Sequence, residues 1–205
     1  MSLPNQLTLM RIALTPVFVL LLFLDSLVSR LGSFGVFTMA ALTDWYDGYA
    51  ARKSGEFSMW GRFLDPLADK ILVSSGFICF SVLGYVSAWM VLIIVIRDFF
   101  ITGLRSYAVI KGRSIRTNFL AKTKTFSQFC VLYFIFIFHL LSDGNKPPYD
   151  SQILHTIYEM DLIEILMYMI TILTLISGIV YIVENKSHLR QIAGDVYRIF
   201  VPSDI

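Results

Sequence analysis

Six mostly apolar stretches of about twenty residues each occupy most of this chain of 205 residues. A helix of that length spans the hydrocarbon core of a bilayer, where every backbone polar group must be bonded within the protein. Hydrophobic residues make up 56% of the chain and charged residues only 16%, whereas a soluble domain carries roughly a quarter charged residues. The sequence therefore predicts an all-α integral membrane protein, a six-transmembrane-helix bundle that forms a single domain over residues 1–205. The predicted helices run roughly Leu7–Leu24, Phe34–Arg52, Phe63–Tyr85, Ala88–Ile110, Thr125–Leu141 and Leu162–Val183.

Basic residues are distributed unevenly between the two ends of this predicted bundle. With six helices, both termini lie at one end together with the second and fourth loops, and that end holds most of the lysines and arginines. The opposite end has only Arg30 and Lys146, among several acidic residues. Because cytoplasmic loops are enriched in Lys and Arg, both termini are predicted to be cytoplasmic. The basic residues of that end are Arg11, Arg52, Lys53, Arg62, Arg105, Lys111, Arg113, Arg116, Lys122, Lys124, Lys186, Arg190 and Arg198.

Two other features are read as structural. Cys79 and Cys130 each lie inside an apolar stretch without a CxxC partner, so neither a disulfide nor a zinc site is predicted. The first apolar stretch, Ile12–Leu24, follows no strongly basic leader and shows no convincing cleavage site, so we expect it to be retained in the protein.

Four aspartates stand in or beside apolar sequence on the second and third predicted helices. Asp44 and Asp47 share one side of the second helix, and Asp65 and Asp69, four residues apart, share one side of the third. The short loop between the helices allows the two sides to face each other. An ionised carboxylate at membrane depth is costly without a partner, a cavity or a cation, so the cluster predicts a functional site near the cytoplasmic surface.

All-oxygen ligation of this kind favours Mg²⁺ or Mn²⁺ over zinc, and two divalent ions between four carboxylates can clamp a phosphoryl group. Small residues on the same sides of the helices, Gly48, Ala51 and Gly61, leave room for a substrate, and the Arg52 guanidinium can hold a phosphate. The acids have other possible uses. Asp65 can cap a helix before Pro66, Asp69 can pair with Lys70, and such a cluster can also serve a cation or proton transporter.

The spacing of these residues resembles the signature of the CDP-alcohol phosphotransferase family. The chain reads Asp44-x2-Asp47-Gly48-x2-Ala51-Arg52-x8-Gly61-x3-Asp65-x3-Asp69, which fills every fixed position of that signature. Around it, "LPNQLTLMRI", "TDWYDGYAARK", "GRFLDPLADKILV" and "RDFFITGLRSYAVIKG" look like the phosphatidylglycerophosphate synthases in particular. The likeness covers roughly Leu3 to Gln128. It departs at Asp98, where that group tends to have glutamate after the arginine.

The resemblance implies a role for each matching position. Asp44, Asp47 and Asp65 would bind two divalent ions, and Asp69 would complete the metal site and act as the general base. Gly48, Ala51 and Gly61 would border the cytidine and Arg52 the diphosphate. Asn5 and Thr8 would contact the CDP group, although they are equally typical of a polar helix start.

A phosphorylated acceptor needs fixed cations, and the end of the fourth helix and the loop after it are rich in them. Arg105 is the preferred candidate because it still belongs to a helix and follows the Thr102-Gly103 step; Arg113, Arg116 and Lys124 are weaker candidates. Most of these cations can instead serve the charge asymmetry or contact anionic lipid. The adjacent Arg97 and Asp98 are interpreted as an internal ion pair.

The resemblance thus implies a phosphatidyltransferase of the inner membrane whose active site faces the cytoplasm. Its substrates would be CDP-diacylglycerol and sn-glycerol 3-phosphate, and its partners would be membrane lipid and a second copy in a homodimer, with no nucleic acid. Another acceptor, such as inositol phosphate or serine, remains open within the family. A transporter is the competing class, although the broken helices and internal repeats typical of transporters are not visible in the sequence.

Overall fold

The computed structural model describes residues 3–54, 59–110, 119–142 and 152–186. Within these ranges every regular element is an α-helix, which confirms the predicted all-α class. The helices are α1 (Leu3–Leu22), α2 (Leu27–Ser54), α3 (Met59–Val82), α4 (Ala88–Ile110), α5 (Phe119–Leu141), α6 (Gln152–Glu159) and α7 (Leu162–Glu184).

The helix ends differ from the predicted ones where polar residues lie within a helix. The bounds of α4 match the prediction, but α2 begins at Leu27 rather than Phe34 and α5 begins at Phe119 rather than Thr125. The segment Ser142–Asp161, predicted as a loop, contains the short helix α6. Several helices therefore begin before the apolar stretches from which they were predicted, whereas α1 and α3 end slightly earlier than predicted, at Leu22 and Val82.

The turn between α3 and α4 is as tight as the sequence indicates. Gly84 has a φ of 82°, a conformation that glycine adopts without steric cost. The backbone N–H of Tyr85 donates to the Phe80 carbonyl at 2.9 Å, and that of Gly84 donates to the Ser81 carbonyl at 3.0 Å. This pair of bonds is the Schellman motif that ends a helix.

Hydrogen bonds connect several chain reversals at one end of the bundle. Arg30 in the first turn of α2 donates from Nη1 to the carbonyl oxygen of Ser142, just after α5, at 2.8 Å. Ser87, just before α4, donates from Oγ to Glu164 Oε1 in the first turn of α7 at 3.2 Å. The start of α2, the α3–α4 turn, the end of α5 and the start of α7 therefore share one end, as alternating antiparallel helices require.

A partly buried tyrosine, Tyr85, belongs to the same end. The Tyr85 hydroxyl shares a 2.9 Å hydrogen bond with Nδ1 of His139 in the last turn of α5. Burial raises the pKa of Tyr85 to about 12, against a smaller opposing effect of Arg30. The hydroxyl therefore keeps its proton, and the contact links the α3–α4 turn to α5.

An aromatic cluster forms the core between four helices. The Phe136 ring of α5 lies 5.9 Å from Phe18 of α1, 5.3 Å from Phe37 of α2 and 4.9 Å from Phe80 of α3, measured between ring centroids. All four side chains are fully buried. Because such pairs add about 0.5–1.5 kcal/mol each beyond area burial, this cluster fixes the relative positions of the helices.

The exterior of the bundle is apolar, while some of its largest buried side chains are charged. Arg11 and Lys124 are among the fully buried side chains. Segments Leu120–Leu141 and Leu162–Glu184 are long and apolar enough to cross a membrane. A surface that exposes so much apolar area is typical of a protein embedded in lipid. Strongly exposed apolar side chains include Leu20, Val28, Leu92, Phe126, Ile172 and Ile179.

Candidate active site

A cavity of about 790 Å³ lies between α3, α4 and α5. Its walls come from the first half of α3, the second half of α4 and the first half of α5, so it lies at the end of the bundle opposite Arg30. The described charged side chains in its wall are one carboxylate and five cations, and Phe126 and Phe129 add apolar surface. This combination suits an anionic ligand with an apolar part. The charged residues are Asp69, Lys70, Arg97, Arg105, Lys122 and Lys124.

Asp69, the predicted base and metal ligand, lies in this wall. Its Oδ2 accepts a hydrogen bond from Lys70 Nζ at 2.9 Å, and the side chains of Asp69 and Lys70 are only 16% and 14% exposed. The alternative pairing with Lys70 therefore occurs. It does not exhaust the carboxylate, because two oxygens offer about four acceptor positions.

The other predicted metal ligands are located by their backbone alone. Asp44 and Asp47 lie in the second half of α2 and Asp65 in the first turns of α3, one turn before Asp69, and α2 contacts α3. Their side chains lie outside the described residues, so their convergence with Asp69 stays a prediction. Among the described side chains, no three His, Cys, Asp or Glu residues form a group that could hold a metal ion.

The predicted CDP contacts are placed only in part. Gly48, Ala51 and Arg52 belong to α2, Gly61 belongs to α3 and Asn5 belongs to α1. The surroundings of all five side-chain positions lie outside the described residues. Thr8 is described, and it is buried on α1 with 1% exposure.

Arg11 joins Thr8 on the buried side of α1, and its place in the core was not predicted. The arginine is fully buried and donates from Nε to the Ala40 carbonyl of α2 at 3.3 Å. Ala40 lies one turn before Asp44 on that helix. A cation thus packs beside the helix that carries two of the predicted metal ligands. An arginine inside an apolar span was the available signal for it.

Two predicted acceptor residues share the cavity with Asp69. Arg105 of α4 is exposed, and Lys124 of α5 is buried and donates from Nζ to Asp98 Oδ1. Arg113 and Arg116 lie outside the described residues. Lys70, Arg97 and Lys122 also line the cavity, although none of them was among the predicted acceptor residues.

Arg97 and Asp98 form the ion pair that the sequence analysis indicated. Arg97 Nη1 donates to Asp98 Oδ1 at 3.1 Å, which confirms that interpretation. The Arg97 Nη2 atom also donates to Ser177 Oγ of α7 at 3.0 Å. The pair therefore lies within a larger polar network that includes a cavity wall.

An apolar exterior around a cavity with one carboxylate and several basic side chains defines a helical membrane protein that handles an anionic ligand. Comparison with known families then gives a specific assignment. A model of the CDP-alcohol phosphatidyltransferase family matches residues 1–180. The chain belongs to this family, and the resemblance drawn from the aspartate motif is confirmed.

Curated relatives cover much of the chain. A Bacillus subtilis (strain 168) protein named CDP-diacylglycerol--glycerol-3-phosphate 3-phosphatidyltransferase is 40% identical over 139 residues, which are 62% of this chain and 72% of that protein. A Rickettsia bellii (strain RML369-C) protein of the same name is 35% identical over 188 residues, 91% of this chain and 97% of that protein. A Mycobacterium tuberculosis (strain ATCC 25618 / H37Rv) protein named probable phosphatidylglycerophosphate synthase is 38% identical over 130 residues, 62% of each chain.

Proposed function

We propose that this protein transfers the phosphatidyl group of CDP-diacylglycerol to sn-glycerol 3-phosphate and yields phosphatidylglycerophosphate and CMP. Family membership supports the reaction class, and the names of the relatives support both substrates. The structural observation that carries the proposal is that Asp69 and a group of cations line one cavity. The acceptor brings a hydroxyl and a phosphate dianion, and this cavity offers a base for the first and cations for the second.

The chain's own residues account for the acceptor half of the reaction. Arg105, together with Arg113, Arg116 and Lys124, would bind the acceptor phosphate and hold the 1-hydroxyl near Asp69. That hydroxyl oxygen attacks the phosphorus that bears the diacylglycerol, and its proton passes to the Asp69 carboxylate. The bond from this phosphorus to the oxygen it shares with the CMP phosphate breaks, and CMP leaves. Positioning and charge stabilisation supply most of the acceleration in such displacements.

The proposal includes two Mg²⁺ or Mn²⁺ ions held by Asp44, Asp47, Asp65 and Asp69. The motif and the family support this site, and the described Asp69 carboxylate fits it as a hard oxygen donor in a cavity wall. When bound, the ions would neutralise the negative charge of the pyrophosphate. Asn5, Thr8, Gly48, Ala51, Arg52 and Gly61 would receive the CDP group.

We further propose that residues 1–205 form one domain of six spans with both termini in the cytoplasm. The antiparallel arrangement of α1–α5 and α7, and the concentration of basic residues at the cavity end, support this topology. The active site would then open to the cytoplasmic side of the inner membrane. A homodimer in membrane lipid is part of the same proposal and is supported by family likeness alone.

An acceptor screen tests the function. Purified protein in lipid nanodiscs would receive CDP-diacylglycerol, Mg²⁺ and one radiolabelled acceptor at a time: glycerol 3-phosphate, inositol phosphate or serine. We expect a labelled lipid and released CMP with glycerol 3-phosphate, loss of both on chelation, and recovery on adding Mg²⁺ or Mn²⁺. Product with a different acceptor alone would assign the chain to another branch of the family. No lipid product with any acceptor would reject the transferase.

A further inference from the structure

A buried carboxylate outside the aspartate motif accepts hydrogen bonds from side chains of α4 and α5. Asp98 is 2% exposed, and its Oδ1 accepts hydrogen bonds from Lys124 Nζ and from Arg97 Nη1, the latter at 3.1 Å. Its Oδ2 accepts a hydrogen bond from Gln128 Nε2 at 3.3 Å. Lys124 and Gln128 are one turn apart on α5, so one carboxylate binds two positions on the facing helix.

Two of these three donors also belong to the cavity wall. Arg97 and Lys124 line the cavity with Asp69, whereas Gln128 is fully buried behind them. The Asp98 carboxylate therefore lies just outside the cavity and holds two of its cations from the protein side. A network with only a packing role would not need its cations in the wall of the candidate active site.

The Arg97 guanidinium is fixed from a second direction by α7. Its Nη2 donates to Ser177 Oγ at 3.0 Å, and a Cβ atom added at Gly178 would lie 3.3 Å from Arg97 Nε. The absence of a side chain at Gly178 thus leaves the room in which Arg97 lies. With Asp98 on one side and α7 on the other, the guanidinium has little freedom to move.

Two further cations of the cavity differ from this pair. Arg105 and Lys122 are exposed, and within the described part of the chain neither has an acidic partner within ion-pair distance. The wall thus combines Arg97 and Lys124, held by Asp98, with Arg105 and Lys122, which are available to a ligand. A held cation contributes a fixed positive charge without reorganisation when a dianion arrives.

We propose that Asp98 is a positioning residue for the acceptor phosphate: it holds Lys124 and Arg97 at the cavity wall and thereby sets the affinity for the phosphorylated acceptor. This inference rests on the proposed transferase function. Asp98 does not touch the substrate and acts only through the two cations. Without its carboxylate, a buried ammonium at Lys124 would lack a counter-charge, so the lysine would leave its place.

The test is Asp98→Asn, assayed in nanodiscs with glycerol 3-phosphate and CDP-diacylglycerol varied in turn. We expect the KM for glycerol 3-phosphate to rise about tenfold or more, with the KM for CDP-diacylglycerol nearly unchanged. Asp98→Glu keeps the charge and should restore the acceptor KM to within about threefold of the wild-type value. Glu164→Gln is the matched control, since it removes a hydrogen-bonded carboxylate at the opposite end and should leave both KM values unchanged.

A double variant covers the case in which Asp98→Asn does not fold. Asp98→Asn with Lys124→Met removes both charges, and replacing a whole buried pair is tolerated better than breaking it. We expect its acceptor KM to match or exceed that of Lys124→Met alone, because Asp98 acts through Lys124 and also holds Arg97. An unchanged acceptor KM in folded Asp98→Asn, or a wild-type KM in the double variant, would overturn the positioning role. A wild-type protein that makes no lipid from glycerol 3-phosphate would instead reject the proposed function itself.

Discussion

Asp69 pairs with Lys70 and also lines the cavity. The substitution Asp69→Asn distinguishes this structural contact from a role in proton transfer. The contact of Asp69 with Lys70 at 2.9 Å is a side-chain hydrogen bond that an asparagine can partly keep. An asparagine cannot take the proton of an attacking hydroxyl. We therefore expect Asp69→Asn to lower kcat by about a hundredfold or more while CDP-diacylglycerol binding persists. Turnover would be measured from CMP release and binding by calorimetry.

The matched control for this change is Asp25→Asn. Asp25 is 95% exposed and pairs with Arg30 at the other end of the bundle, so the same chemical change there should leave kcat within about twofold of wild type. Near-normal turnover in folded Asp69→Asn would contradict its role as a base. A transporter would respond differently, through loss of ion coupling.

The sequence predicted contacts best between residues that are close together in the chain. The adjacency of Arg97 and Asp98 indicated their ion pair. The aspartate spacing is also local within each helix, but the convergence of the four aspartates stays a prediction. The bond from Lys124 to Asp98 joins residues 26 apart, and that from Arg97 to Ser177 joins residues 80 apart. Such contacts depend on how helices pack, and spacing along the chain contains no information about them.

At the level of helices, hydropathy located each long segment and both ends of α4, but it misplaced the starts of α2 and α5. The first turns of α5 contain Lys122 and Lys124, and the prediction placed these residues in a loop because they are charged. Lys124 is compatible with a buried helix because Asp98 accepts its hydrogen bond. Similarly, α6 is too short and too polar at its ends to stand out as an apolar stretch. A charged residue such as Lys124 therefore does not mark the end of a helix where the fold supplies a partner of opposite charge.

The approach of α7 to α4 depends on a glycine. A Cβ atom at Gly178 would lie 3.3 Å from Nε and 3.4 Å from Cγ of Arg97, so a larger side chain must displace the arginine. We expect Gly178→Val to cost about 1–3 kcal/mol of stability through overpacking and to raise the acceptor KM because Arg97 loses Ser177. Thermal unfolding in nanodiscs and the acceptor KM would be measured together.

Gly35→Val provides the comparison for that variant. Gly35 lies inside α2 with nothing within 4 Å of an added Cβ, so valine there has space. It should change the unfolding temperature little and the acceptor KM not at all. Equal effects of the two substitutions would show that glycine's backbone freedom, rather than room for Arg97, decides the outcome at position 178.

For the whole molecule, the alternation of the helices was predictable, whereas only two of the described helices, α5 and α7, contain segments long and apolar enough to stand out as membrane spans. Long apolar stretches joined by short turns favour antiparallel neighbours, and the contacts of Arg30 with Ser142 and of Ser87 with Glu164 agree with that arrangement. The charged groups of α3 and α4 interrupt their apolar sequence, because these helices line the cavity. Charged residues in the cavity wall therefore lower the hydropathy of the helices that carry them, and hydropathy is the property from which membrane spans are recognised.

The proposed orientation can be tested on the two ends of α7. This helix of 23 residues would be about 34 Å long, enough to cross the hydrocarbon core, with exposed Met160 before its start and exposed Lys186 after its end. In a Cys79→Ala/Cys130→Ala background, Met160→Cys and Lys186→Cys would each be treated with a membrane-impermeant maleimide. Because the basic end should be cytoplasmic, we expect intact cells to label Met160→Cys and to label Lys186→Cys only after permeabilisation. The reverse pattern would show that the topology is inverted and that the cavity lies at the outer face, where a cytoplasmic nucleotide-activated lipid could not reach it. Equal labelling of both positions in intact cells would show that α7 does not span the membrane.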